Sequence, residues 1–113
     1  MLQRLLSALT TQNGVEQALM IDDRGRLMAS VGASGSFPDV ERTVLMTSNG
    51  LEATQNLGLG ELYEIWEESD TRTMIDIVTP YRILMLHGKG GKLARWRHSI
   101  DLNRKSLATT PEM

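Results

Sequence analysis

Cysteine is absent from this chain of 113 residues, which excludes disulfides, thiol catalysis and cysteine-ligated metals. Histidine is scarce: His87 and His98 alone leave too little for a histidine metal cluster. No apolar run approaches the ~20 residues of a membrane-spanning helix. Residues 1–13 carry Arg4 but no apolar h-region, so they are not expected to act as a signal peptide. Charge of one sign is lacking too, and a formal net charge of −2 argues against coating nucleic acid through bulk charge. What is present, 41% hydrophobic and 23% charged residues, is the composition of an ordinary globular domain, and the length suits one core rather than two. A reducing, cytoplasmic setting is the default expectation.

The chain is organised around residues 57–88. This stretch opens with Leu57-Gly58-Leu59-Gly60-Glu61 and continues through Leu62-Tyr63-Glu64-Ile65-Trp66-Glu67-Glu68. A polar break, Ser69-Asp70-Thr71-Arg72, precedes Thr73-Met74-Ile75-Asp76-Ile77-Val78-Thr79; Pro80-Tyr81-Arg82 precedes Ile83-Leu84-Met85-Leu86-His87-Gly88. Runs rich in β-branched, aromatic and large apolar residues, separated by turn formers, predict an antiparallel three-stranded meander. Ahead of it, Leu2, Leu5, Leu6 and Leu9 fall at helical spacing, and Asn13-Gly14 suits the end of that short amphipathic helix. Residues 15–22 predict a strand covered on both faces, because Ala18-Leu19-Met20-Ile21 is continuously apolar. Asp22-Asp23-Arg24-Gly25 then turns the chain into a second strand at 26–31.

Beyond a small-residue loop, Phe37-Pro38-Asp39 predicts the start of a helix with Asp39 and Glu41 in its first turn, running to about residue 56. Val40, Val44 and Leu51 mark one face, and Leu45 and Met46 lie off it. Gly50 inside this helix costs roughly 1 kcal/mol relative to alanine. It is either a tolerated blemish or the close approach of another backbone, such as a second copy of the helix. A last helix at 93–107 places Leu93, Trp96, Ile100 and Leu107 on its core stripe, and a flexible tail follows at 108–113. The order is α-β-β-α-β-β-β-α, with one domain over 1–107.

Sites of chemistry are hard to find in this pattern. Gly88-Lys89-Gly90-Gly91-Lys92 joins a strand to a helix, where amides can hold an anion, but the segment lacks the first glycine of a P-loop and Leu93 follows the lysine. A flexible turn is the better reading. Glu64, Glu67, Glu68 and Asp70 crowd one hairpin, yet alternation splits them between faces, so a solvated hairpin end is expected rather than a cation or acid–base site. His87 and His98 have no nucleophile or carboxylate at recognisable spacing, and each reads as structural or surface. Lys89, Lys92, Arg95, Arg97, Arg104 and Lys105 make the last helix region basic. With Trp96 on the core stripe, that face is expected to be solvated or to meet an acidic protein partner rather than nucleic acid.

The chain resembles the roadblock/dynein light chain family, which includes bacterial partners of polarity GTPases. The likeness rests on the amphipathic first helix, the strand and turn Met20-Ile21-Asp22-Asp23-Arg24-Gly25 leading into Arg26-Leu27-Met28-Ala29-Ser30, and the long middle helix. It rests also on Leu57-Gly58-Leu59-Gly60-Glu61-Leu62, Pro80 between the last two strands, and Leu93-Ala94-Arg95 opening the final helix. Trp66, Trp96 and the glycine-rich 88–91 loop depart from it. The resemblance implies a three-layer α/β/α, profilin-like roadblock fold with a central five-stranded antiparallel sheet. It also implies a homodimer in which the third strand pairs with its counterpart and the middle helices pack together.

On that basis the expected dimer interface comprises Leu62, Tyr63, Ile65, Trp66, Leu45 and Gly50. The expected surface for a Ras-like small GTPase comprises Arg42, Met46 and Asn49. An edge strand without proline or lysine is a pairing liability in its own right. The function implied is a non-enzymatic regulatory or scaffold module, cytoplasmic, with no catalytic or metal residues, no cofactor, no nucleic acid and no membrane insertion. The alternatives are a small-molecule sensor, disfavoured by a lack of convergent buried polar residues in the strands, and a light-chain-like adaptor in a larger complex.

Overall fold

The structure, a computed structural model, describes residues 2–11, 14–32 and 64–111. Its first helix, α1 (Leu2–Leu9), buries Leu2, Leu6 and Leu9. That spacing of four and three residues keeps one stripe against the sheet. The helix stops at two threonines, whose hydroxyls bond its last carbonyls: Thr10 Oγ1 to Ser7 O and Thr11 Oγ1 to Ala8 O, both at 2.7 Å. The end therefore comes before the expected Asn13-Gly14 stop.

Five strands follow: β1 (Val15–Asp22), β2 (Leu27–Gly32), β3 (Glu64–Glu68), β4 (Arg72–Thr79) and β5 (Arg82–Gly88). They pair antiparallel throughout in the order β2-β1-β5-β4-β3, so the expected meander is present and β1 joins it to the first hairpin. In that hairpin Asp22 Oδ1 accepts the N–H groups of Arg24 and Arg26 at 2.9 Å, and Gly25 takes a φ of 81° that a side chain would resist. Where β5 leaves the sheet, a side chain at Gly88 would run into the Gly14 carbonyl, which also accepts the Lys89 N–H at 2.9 Å. The last helix, α2 (Leu93–Thr109), continues two residues past its expected end. Arg82 holds that end, its guanidinium donating to Leu107 O at 2.8 Å and Thr110 O at 2.7 Å.

Both described helices lie on one face of the sheet. Leu6, Leu9, Met20, Leu84, Trp96 and Ile100 belong to the cluster there. The opposite face holds a smaller cluster, Leu19, Ile21, Ile75 and Met85, with Ile65 and Ile83 against it. β1 is thus buried on both sides, as its continuous apolar run predicts. A bulge between Val15 and Gln17 lets Val15 join the helix-side cluster while Leu19 and Ile21 face away. The middle helix expected at 39–56, which would supply the third layer, lies outside the described residues.

Candidate functional site

β3 ends the sheet. Its ladder is with β4, Ile65 opposite Ile75 and Trp66 opposite Met74, and among the described strands none lies beyond it. Half of its backbone N–H and C=O groups therefore point away from the sheet. Alternation sends Glu64, Trp66 and Glu68 to the helix side and Ile65 and Glu67 to the other. The two expected interface residues separate accordingly. Ile65 packs onto the chain's own Leu19, Ile21, Ile75 and Met85, whereas Trp66 leaves 50% of its surface exposed. An indole that large and that open on an edge strand is the clearest candidate contact among the described residues.

On either side of Trp66, α2 and β4 supply arginines. Arg97 of α2 forks onto the Glu64 carboxylate, Nε donating to both oxygens at 3.1 and 2.8 Å. This hydrogen bonding raises the Arg97 pKa above its ordinary value. Arg72 of β4 pairs with Glu68, lies 4.9 Å over the Trp96 ring, and donates to Gly90 O and Gly91 O at 3.2 and 3.4 Å. The glycine-rich loop is therefore tethered through its carbonyls, which face a cation. Further back, Arg104 grips the Asp76 carboxylate with both terminal nitrogens, at 2.8 and 2.9 Å, and also reaches Asp101 at 2.9 Å. Asp76 is 2% exposed, and its hydrogen bonds are the main reason the Arg104 pKa is raised.

These pairs correct the reading of the basic helix. Arg97 and Arg104, though 46% and 36% exposed, are not free for an acidic partner, because the acidic strands of the same chain already pair with them. Lys92, Arg95, His98 and Lys105 do remain exposed. A second correction concerns buried polar groups in the strands, where none was expected to converge. Gln17, His87 and Thr73 lie abreast on β1, β5 and β4, all buried, with Thr73 Oγ1 and His87 Nδ1 2.9 Å apart. His87 is thus structural in placement. The signal for both features was available: Asp76 and Gln17 are polar positions inside otherwise apolar strand runs.

Leu62, Tyr63, Leu45 and Gly50 of the expected interface lie outside the described residues, as do Arg42, Met46 and Asn49 of the expected partner surface. Among the described residues no group of three or more histidine or acidic side chains is arranged to hold a metal ion, and no helix is long and apolar enough to cross a membrane.

Comparison with protein-family models and with curated protein sequences finds no match. Solved structures do match. A Roadblock/LC7 domain from Streptomyces avermitilis superposes with a TM-score of 0.82 at 18% identity, covering 94% of this chain and 93% of that one. Myxococcus xanthus MglB gives 0.78 at 18% identity, covering 94% and 90%. An MglB with a tetrameric arrangement gives 0.78 at 21% identity, covering 95% and 85%. At such identities the likeness is one of fold, and it extends over nearly the whole chain. The chain has the roadblock fold.

Proposed function

We propose that this protein is a non-enzymatic regulatory module of the roadblock type, which pairs with its own copy through β3 and binds a Ras-like small GTPase. The observation that carries the reading is an edge strand, unpaired on its outer side among the described residues, presenting a half-exposed tryptophan in a chain of roadblock fold. Exposed strand edges pair readily, and isologous pairing of two β3 strands would occupy the free N–H and C=O groups and cover Trp66. Leu62, Tyr63, Ile65, Leu45 and Gly50 complete the proposed interface, with Ile65 acting from beneath by fixing the strand to the core. The tetrameric arrangement of one MglB lends support to self-association.

A platform of two paired middle helices would carry Arg42, Met46 and Asn49 toward the GTPase. Any effect on hydrolysis would come from repositioning the switch elements of the GTPase itself. The test is retention on immobilised protein of a Ras-like GTPase loaded with a GTP analogue or with GDP. Retention in the GTP state alone, lost in Met46→Asp while the fold survives, is the expected result. Capture of a larger assembly regardless of nucleotide would favour a light-chain-like adaptor.

One observation favours a sensor as the second reading: the buried row Gln17, His87 and Thr73 gives the strands the convergent polar groups that a ligand site needs. A small molecule bound there would shift the His87 ring resonances.

A further inference from the structure

The described part of β3, Glu64-Ile65-Trp66-Glu67-Glu68, carries three carboxylates in five residues and no cation. Such a strand is a poor partner for itself. Isologous pairing sets the strand's carboxylates against those of its copy, and like charges opposite one another across a strand pair are destabilising. A two-fold pairing of all five residues centres on Trp66 and sets Glu64 against the partner's Glu68. Both of these carboxylates lie on the helix face, and both are already met by arginines from outside the strand. Arg97 reaches Glu64 from α2, and Arg72 reaches Glu68 from β4.

We propose, on the premise that β3 pairs with its own copy as above, that Arg97 and Arg72 serve as built-in counter-ions that make this acidic edge compatible with itself. Arg97 is the positioning residue to test. Its guanidinium forks onto one carboxylate from a helix on the sheet surface, so it neutralises the strand without occupying the outward hydrogen-bonding groups. The Arg97 side chain is 46% exposed, so little packing goes with it, and the Glu64 carboxylate it leaves behind, 20% exposed, keeps some access to water, so the fold should tolerate the change. Arg72 is a worse probe, because it also stacks on Trp96 and holds the Gly90 and Gly91 carbonyls.

The experiment measures self-association of the full chain by sedimentation equilibrium at low and high salt. For the wild type we expect an association that responds little to salt. Arg97→Gln should associate about tenfold more weakly at low salt, recovering in part as salt screens the partly exposed Glu64. Glu64→Gln combined with Arg97→Gln should return to the wild-type constant. A helix merely loosened by the substitution would give neither the salt recovery nor the rescue, and thermal unfolding under dissociating conditions reports on it separately. Arg97→Gln associating as tightly as the wild type at low salt would overturn the proposal. The premise is checked by Trp66→Lys. If that variant is monomeric while Arg97→Gln is unaffected, only the counter-ion role fails; if it associates like the wild type, the edge pairing and the counter-ion role fail together.

Discussion

The sheet has two edges, and the chain treats them differently. At β2, α1 packs alongside: Leu5 of the helix and Met28 and Val31 of the strand sit against the same cluster, and Gln3 Nε2 reaches over to donate to Ser30 O at 3.3 Å. Its ladder with β1 slips between Met20 and Ile21, and the strand ends at Gly32 with a φ of 120°. Those are recognised ways of discouraging a second strand from adding. At β3 the ladder runs in register from Glu64 to Glu68, and Trp66 on the helix face keeps 50% of its surface exposed. The contrast teaches that availability of an edge depends on what stands beside it, since both strands are antiparallel and of similar length.

The largest effect should come from the structure behind the open edge. Arg104→Met would leave the Asp76 carboxylate, 2% exposed, without its bidentate partner. Removing one member of a buried pair typically costs about 3–5 kcal/mol. Urea unfolding should show that loss, and a change under about 1 kcal/mol would mean that Asp76 is rescued by water or a proton. Next comes Trp66→Lys, expected to abolish self-association while stability stays within about 1 kcal/mol, because the indole is half in solvent. Ile65→Lys does not make the same point. Ile65 is packed on the cluster under the sheet, so a lysine there attacks the fold as well as the edge.

How much of this was legible beforehand follows from what each signal depends on. Period-two alternation and turn residues are local, so β1, β2, β4 and β5 lie within one residue of their expected bounds; the first helix instead ends at Leu9, short of its expected Asn13-Gly14 stop, and the expected start of β3 lies outside the described residues. The position of β3 at the sheet's end came from family resemblance, since nothing local distinguishes an edge strand from an inner one. Arg97 reaching Glu64, and Arg104 reaching Asp76, are contacts over 33 and 28 positions. They depend on how α2 lies across β3 and β4, which no spacing rule reveals, and the same residues looked like a surface patch for that reason. Asp76 was the missed clue: a carboxylate amid Met74, Ile75, Ile77 and Val78 needs a cation, and the basic last helix was the available source.

Smaller effects sharpen the comparison from the guarded side. Gln3→Ala removes the side chain over the Ser30 carbonyl at a cost near 0.5–1 kcal/mol, as for an ordinary exposed hydrogen bond. Combined with Trp66→Lys it asks whether β2 can replace β3 as a pairing edge. The double variant should stay monomeric in sedimentation, because α1 and the slipped register still stand in the way. A dimer would show that Gln3 is the main guard.

The smallest effect is the most specific, and it is a pH dependence. Asp22 closes the β1–β2 turn, accepting the backbone N–H groups of Arg24 and Arg26 on Oδ1 and the Arg26 Nε on Oδ2 at 3.0 Å. The Arg26 N–H is the main reason its pKa falls below the ordinary 3.8. A carboxyl group whose pKa is lower in the folded state than in the unfolded chain binds its proton less tightly when folded, so it favours folding wherever it is ionised. That contribution is complete above the ordinary value and disappears as pH falls through the depressed one. Protection of the β2 amides, their exchange measured against the intrinsic rate at each pH, should therefore fall below about pH 4 in the wild type. In Asp22→Asn it should already be lower at pH 7, with this step absent, since the amide carries no charge to lose. If acid leaves the β2 amides of the wild type no more exchangeable than those of the variant, the turn is held by Gly25 and the backbone alone, and the guarded edge owes nothing to the Asp22 charge.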